Sequence, residues 1–460
     1  MPLRRTWRAR LAPLVGALLL VAAACGDDGG GATPPSAPSS SSSSSSSTAP
    51  SPSSSTTAPP ADRLGAALDE MLGWLADPSS VDAERFSPSF LAAVPPEQLE
   101  AVFTEIGGGR WAVVGREVIG DDTVVARLEG DGPAWLVQLG LDEQDRIGAL
   151  RFQLAELPDP PASLDELVQR LAESPRAGFL RADVDPSGAC VPAAALRAEE
   201  VLPIGSVFKL YVLAAVADAV SAGQLRWDEP VAVRDALDSL PTGITQDEPD
   251  GTAVPVRELA LRMIEISDNT ATDHLIDLVG REAVEAQLAH LGHHDPTVMT
   301  PLLTTREWFT MEADPALLDR YVAAGDDAAR RRLLAEEVAA APLPAPEDLP
   351  IAATSPTTVG WFATPLDVCR ALVALDDLAA DPALAPIREI LGANPGLPVD
   401  PAVLPRVLHK GGSEPGVLFA AWLAARPDGS RLVVAGGVVD ETNPVDPLTL
   451  QLLGLGLTLS

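Results

Sequence analysis

The chain uses lysine only twice, at 209 and 410, against 30 arginines. Arginine serves wherever a bare positive charge is wanted, but its guanidinium is not deprotonated in proteins. An ammonium can be, once its surroundings lower its pKa. The two positions that keep lysine are therefore the places to look for a removable proton. Lys209 stands three residues after Ser206 in Gly205-Ser206-Val207-Phe208-Lys209, ahead of the apolar run 210–220. A helix starting at Ser206 would carry both side chains on one face, with Ser206 in the positive field of the helix start. A serine hydroxyl is a weak nucleophile that needs a neighbouring base, and a desolvated lysine can be that base.

Two further motifs follow in order. Ser267-Asp268-Asn269 precedes the helical run 270–279. Ser267 offers a hydroxyl that can pass a proton, and Asn269 offers amide donors and an acceptor to a substrate amide. Asp268 suits a helix N-cap as well. Lys410-Gly411-Gly412-Ser413 ends an apolar strand pattern. Its adjacent glycines would let a substrate backbone approach a strand edge closely.

S-x-x-K, S-D-N and K-[ST]-G, in this order, are the motif set of class A β-lactamases and penicillin-binding proteins, and the chain resembles this penicillin-recognising serine hydrolase family over roughly residues 160–460. The resemblance implies Ser206 as the acylated nucleophile, Lys209 as its base or as the group that orients one, Ser267 as the proton relay to the leaving nitrogen, and Lys410 as the partner of a substrate carboxylate and a support for Ser267. It implies a substrate-binding role for Asn269, Gly411, Gly412 and Ser413, with the backbone N–H groups of Ser206 and Ser413 as an oxyanion hole. Three departures stand out. Gly411 replaces the hydroxyl residue of the third motif, Glu414 adds a negative charge beside it, and no E-x-x-L-N element follows Ser267. Glu307, in Thr304-Thr305-Arg306-Glu307-Trp308, is the nearest candidate for the carboxylate that activates the deacylating water. The implied activity is acyl transfer on β-lactams or related amides and esters, with an esterase, a D,D-peptidase or a slowly deacylating penicillin-binding sensor as alternatives on the same scaffold.

The surrounding elements read as an α/β (α+β) hydrolase domain at 160–460. Its strand patterns, at 178–184 and 189–195 and again at 407–410, 419–425 and 432–439, flank helical patterns at 206–342 and 364–380, so the two ends of the domain should share one sheet. A helix at 163–172 carries the capping-box pattern Ser163…Glu166, and a last helix spans 444–453. Residues 62–157 form a separate α+β pattern. Helices at 62–75 and 96–106 precede apolar runs at 111–114, 123–126, 135–139 and 147–152, which Gly-Asp turns separate. This looks like a small cone-shaped, steroid-isomerase-like accessory domain.

At the N-terminus, four arginines precede the uncharged stretch 11–24, which ends in Ala22-Ala23-Ala24-Cys25. The pattern resembles a lipoprotein signal peptide (1–25) with Cys25 as the lipidated residue, which implies extracytoplasmic anchoring to a bacterial membrane by lipid alone. Residues 26–61 are rich in Gly, Ser, Pro and Thr, a flexible tether reaching roughly 30–36 Å. A net charge of −33 repels phosphate backbones and argues against nucleic-acid partners. The expected partner is a small-molecule or peptidoglycan-like substrate, and the oligomeric state is open. Cys190 and Cys369 are either a disulfide or two buried thiols. The five histidines include the neighbours His293 and His294, whose side chains should diverge on a helix or strand. No metal or other cofactor is expected.

Overall fold

The computed structural model describes residues 60–459, apart from short stretches that include 105–109, 131–133 and 350–357. The expected leader, Cys25 and the tether up to residue 59 lie outside the described residues. The chain parts into two compact units, the larger beginning at Leu157.

In the smaller unit, helix α1 (Pro60–Ala76) starts inside the segment read as tether. It turns Leu64, Leu68, Met71, Trp74 and Leu75 into the core. Leu72, which continues the four-residue spacing of Leu64 and Leu68, is only half-buried, because Met71 takes the inward position. A short helix, α2 (Pro88–Ala93), capped by the Ser87 hydroxyl, was not legible in the sequence. Of the helix expected at 96–106, Leu99, Glu100, Phe103 and Thr104 are helical, and much of the remainder lies outside the described residues. Strands β1 (Trp111–Ile119), β2 (Thr123–Gly130), β3 (Trp135–Leu141) and β4 (Ile147–Leu154) form an antiparallel meander in sequence order. Inward residues alternate along β2, where Val124, Ala126 and Leu128 are fully buried.

The larger unit is built on a five-stranded antiparallel sheet. Its strands are β5 (Arg176–Val184), β6 (Cys190–Leu196), β7 (Arg406–Glu414), β8 (Val417–Ala425) and β9 (Arg431–Val439), in the spatial order β7-β8-β9-β5-β6. The two ends of the domain thus meet in one sheet. Every residue of β8 is buried, which fits its unbroken apolar run, since a sheet covered on both faces loses the apolar–polar alternation. Leu418, Ala420, Trp422 and Ala424 pack under α3 (Leu164–Leu171) and α11 (Leu448–Gly454). Val417, Phe419, Ala421 and Leu423 point the other way, into the helical body.

That body does not run unbroken from 206 to 342. It comprises α4 (Lys209–Ser221), α5 (Val256–Glu265), α6 (Asn269–Val279), α7 (Arg281–His290), α8 (Thr305–Ala313) and the helices Pro315–Ala323 and Asp327–Leu333, with a small hairpin pairing Pro230–Ala232 with Ala253–Pro255. Glycines and prolines at 223, 230, 243 and 255 break the helical pattern there. Two more helices, α9 (Pro365–Leu378) and α10 (Pro386–Gly392), complete the layer. At α3 the Ser163 hydroxyl accepts the Glu166 N–H, while the Glu166 carboxylate takes the N–H of Ala162. Among the described residues, no helix is long and apolar enough to cross a membrane.

Cys190 on β6 and Cys369 on α9 are joined as a disulfide across a sequence separation of 179. A cross-link over so long a loop removes much of the unfolded chain's freedom. The double variant Cys190→Ser/Cys369→Ser is expected to lose roughly 2–4 kcal/mol of stability, read as a lower Tm that reductant no longer changes.

Candidate active site

Ser206 lies on a 3-10 turn, Gly205–Phe208, that runs directly into α4 at Lys209. The helix proper therefore starts three residues later than the sequence suggests. In 3-10 geometry, residues i and i+3 eclipse, so Ser206 and Lys209 still share a side. Two contacts pin the turn. The Ile204 N–H donates to the Trp361 carbonyl at 2.9 Å, and the Phe208 ring stacks on Trp361 with centroids 4.1 Å apart. Gly205 has φ +45°, in the left-handed region that favours glycine.

Lys209 is fully buried. Its Nζ donates to the Ser267 carbonyl (2.7 Å), to Ser267 Oγ (3.1 Å) and to Asn269 Oδ1 (2.6 Å). Lys410, 3% exposed, donates to the same Ser267 Oγ at 3.1 Å and to the Gly411 carbonyl at 2.6 Å. The only two lysines of the chain thus meet at one hydroxyl. Burial and the charge of Lys410 push the Lys209 amine well below the ordinary lysine range, against the pull of Asp268 and Asp273. Burial alone brings Lys410 down to about 7. Among the described residues the Ser206 hydroxyl has no hydrogen-bond partner, a looseness common in unliganded enzymes.

Ser267 holds φ +60°, a strained conformation for a residue with a side chain, costing of order 1–3 kcal/mol. Its neighbours enforce it. The Asp268 N–H donates to the Arg262 carbonyl, and the Asn269 N–H to the Thr242 carbonyl. Thr242 Oγ1 donates to the Ser267 carbonyl at 2.8 Å. The Asp268 carboxylate caps α6 through the Ala271 N–H and accepts from the Ile244 and Thr245 N–H groups and the Thr245 hydroxyl. Asn269 is almost wholly buried, and its amide also donates to the Leu240 carbonyl at 2.7 Å. It therefore braces Lys209 as well as offering its remaining N–H.

The third motif lies inside β7 rather than after it, with Gly411 opposite Ala420 and Gly412 opposite Phe419. A Cβ on Gly412 would sit 2.2 Å from the Ile204 carbonyl oxygen and 2.6 Å from the Ser206 nitrogen, and one on Gly205 would sit 3.1 Å from the Ser413 nitrogen. The strand backbone is thus laid against the Ser206 turn, bringing the N–H groups of residues 206 and 413 onto neighbouring stretches of chain. The Ser413 side chain itself is exposed.

Glu307 stands apart from this cluster. It closes the capping box of α8 with Thr304 and forms a two-pronged ion pair with Arg281 at 2.6 and 2.9 Å. Sequence reasoning missed the groups that fasten α8 to the site. Thr305 Oγ1 reaches the Asn269 carbonyl (3.2 Å) and Asp273 (2.9 Å), and burial raises Asp273 to about 6. Asp273 sits one helical turn beyond Asn269, the one signal that pointed to it. Glu414 does not act as a simple negative charge either. Burial first, then Glu312, raises its carboxyl to about 8, so it is mostly neutral at pH 7.

His293, His294 and Asp367 converge closely enough to suggest a metal cluster. The two rings stack at 5.0 Å rather than diverging, because they lie on a turn. His293 Nε2 faces the Phe362 carbonyl while its Nδ1 takes the Asp295 N–H, and His294 Nδ1 pairs with Asp367. Both nitrogens of His293 are therefore occupied by backbone, and the cluster ties the turn to the start of α9.

Gly412→Ala, whose Cβ would clash with the Ile204 carbonyl and the Ser206 nitrogen, is expected to lower the Tm and to lower the acylation rate about 10²–10³-fold, the worth of one oxyanion donor; thermal unfolding and rapid stopped-flow acylation would measure the two effects. The pH profile should separate the lysines. Acid that protonates Lys209 should slow acylation by any substrate. Raising the pH through about 7 neutralises Lys410, so acylation by a carboxylate-bearing penicillin should fall there while a neutral ester shows no such alkaline fall.

The comparisons with known proteins agree in kind. No curated protein sequence matches the chain. Among solved structures it is similar to a β-lactamase from Sphaerobacter thermophilus (21% identity, 64% of this chain and 93% of that one, TM-score 0.46). It is also similar to one from Chitinophaga pinensis (18%, 63% and 93%, TM-score 0.43) and to a mutant of PBP-A in an acyl-enzyme complex with penicillin G (20%, 64% and 92%, TM-score 0.44). The model of the β-lactamase enzyme family matches residues 176–444, more than half of the chain and all of the site described above, and the chain belongs to that family.

Proposed function

We propose that this protein is a serine hydrolase that forms an acyl-enzyme at Ser206 with β-lactams or related amides and esters. The observation that carries the reading is the convergence of Lys209 and Lys410 on the Ser267 hydroxyl, beside a serine whose backbone nitrogen lies close against Gly412. Neutral Lys209 removes the Ser206 proton as Oγ attacks the carbonyl carbon. The N–H groups of Ser206 and Ser413 hold the oxygen that gains charge. The proton passes through Ser267 to the leaving nitrogen or oxygen, and Lys410 attracts a substrate carboxylate. Asn269 presents its free amide N–H to the acyl side chain, and the Gly411-Gly412 backbone lies along the substrate.

The commitment of Glu307 to Arg281 and to its own helix cap favours a second feature, slow deacylation, as in a penicillin-binding sensor, D,D-peptidase or esterase working on small-molecule or peptidoglycan-like substrates. The disulfide, at home in oxidising compartments, supports an extracytoplasmic location. With it we propose a signal peptide ending at Cys25, lipid anchoring through that residue, and a tether leading to the folded units. The helix packed on a four-stranded meander supports a cone-shaped, steroid-isomerase-like accessory domain in the N-terminal unit.

The test is time-resolved mass spectrometry after mixing with a fluorescent penicillin and with an activated ester. A single adduct on Ser206 and a burst followed by a slow steady state are expected. Ser206→Ala should form none, and Lys209→Arg should be nearly as inactive as Lys209→Ala, because the role needs a removable proton. An adduct on another residue, or near-normal activity in Lys209→Arg, would refute the assignment.

A further inference from the structure

Lys410 meets Ser267 across the gap between two separate walls, the strand β7 that carries the lysine and the turn between α5 and α6 that carries the serine. β7 is the end strand of its sheet, with β8 as its neighbour, so the strand ladder does not set its distance from α5. The segment that follows α10 spans that distance. The Asn394 side-chain amide donates to the Glu265 carbonyl at 3.0 Å, at the end of α5 and two residues before Ser267. The Asn394 carbonyl accepts from His409 Nδ1, also at 3.0 Å, one residue before Lys410. The contacts close into a ring that runs from Ser267 through Lys410, His409, Asn394 and Glu265 back to Ser267.

The ring is stiffly built. Asn394 Oδ1 accepts the Gly396 N–H at 2.9 Å, and the Pro395 carbonyl accepts from Trp422 Nε1 at 2.8 Å. The His409 ring stacks on Trp422, the residue opposite it on β8, with centroids 5.1 Å apart. A Cβ on Gly396 would sit 2.5 Å from the imidazole, so the loop closes on the ring because a glycine stands there, with φ +71°. α10 is itself tied to α5 through the Arg257–Glu389 ion pair. A carbonyl only accepts, so Nδ1 carries the imidazole proton. Nε2 is buried and has no partner among the described residues, so a second proton there would have nothing to bond. Burial first, and then the charge of Lys410, hold the imidazole down at about 3. His409 therefore stays neutral, and the ring of contacts keeps one form at neutral and alkaline pH.

Resting on the acyl-enzyme reading, we propose that Asn394 and His409 are positioning residues of that site, a latch that fastens the strand of Lys410 to the helix end before Ser267 and so keeps Lys410 against the relay hydroxyl. Among the described residues, neither side chain bonds to Ser206, Lys209, Ser267 or Lys410. His409 points to the sheet face opposite Lys410, since side chains alternate along a strand, and Asn394 is exposed. The charged groups on the elements around Lys410 are Lys209 on α4, Asp268 ahead of α6, Glu265 at the end of α5 and Glu414 further along β7. The latch bonds to none of their side chains and takes only the Glu265 carbonyl. It acts on Lys410 through place alone. Freed from that place, the amine gains water, and a better-solvated amine keeps its proton to higher pH.

The full-length protein and its Asn394→Ala, His409→Ala and His409→Asn variants are each mixed with a fluorescent penicillin. Formation of the Ser206 adduct is followed from pH 6 to 9. Loss of one hydrogen bond of the latch, in Asn394→Ala or His409→Ala, should slow acylation about 10-fold. It should also move the alkaline fall from about 7 toward the ordinary lysine range. An asparagine amide nitrogen can stand where Nδ1 stands, so His409→Asn should keep the wild-type rate and midpoint. Wild-type rate and midpoint in Asn394→Ala overturn the inference while leaving the serine reading intact. A slower rate with an unmoved midpoint marks a merely structural loop and overturns it too. His409→Asn as impaired as His409→Ala takes the hydrogen bond out of the latch and refutes it. Absence of any wild-type adduct overturns the serine reading and this inference with it. If His409→Ala fails to fold, Asn394→Ala, changed only at an exposed side chain, decides.

Discussion

One hydroxyl, Ser267 Oγ, receives hydrogen bonds from two buried amines, and the rest of the larger unit can be understood as what it takes to hold that arrangement. Two ammonium groups that close and that dry cannot both keep their charge. The fold thus forces at least one lysine toward its neutral form, and a neutral amine beside a serine is a base. In the function proposed above, the reactivity of the site follows from how the two lysines are placed, with Asp268 and Asp273 pulling against the loss of charge at Lys209.

Such placement demands stiffness from three unrelated parts of the chain. Lys209 rides on a helix whose residues 209–217 are all buried. Lys410 rides on a strand packed edge-on against the turn of Ser206, where the missing Cβ of Gly412 sets the spacing. Ser267 sits in a left-handed conformation that its own side chain disfavours, held by hydrogen bonds from the 242–245 segment and α5. Strain in the relay residue is offset by the Asp268 carboxylate, which ties that segment to α6.

Much of this was legible in the sequence because rare residue types carried it. Two lysines among thirty arginines, and three ordered motifs, located Ser206, Lys209, Ser267 and Lys410, and the strand patterns at either end of the domain announced the shared sheet. What stayed hidden depended on contacts between distant positions. Glu307 looked like a free carboxylate until Arg281, 26 residues earlier, was seen to hold it. The environment of Glu414 was hidden as well, because the burial that raises its carboxyl above the usual range is invisible in a sequence. The long helical stretch broke into pieces at glycines and prolines that the helical pattern had passed over, and the hairpin that fills one gap is set by the pairing of residues 230–232 with 253–255. The stacking of His293 and His294 came from a turn that periodicity could not show.

The disulfide between β6 and α9 also draws a boundary through the candidate site. Ser206, Lys209, Ser267 and Asn269 all lie within the covalent ring that Cys190 and Cys369 close, while Lys410, Gly412 and Glu414 lie outside it. A single backbone break anywhere in that ring, the commonest first injury a protease inflicts, leaves one molecule whose two ends remain joined through sulfur. In the extracytoplasmic location proposed above, where damage is not repaired by resynthesis in place, the part of the site that holds Ser206 is thereby kept attached to the strand that faces it.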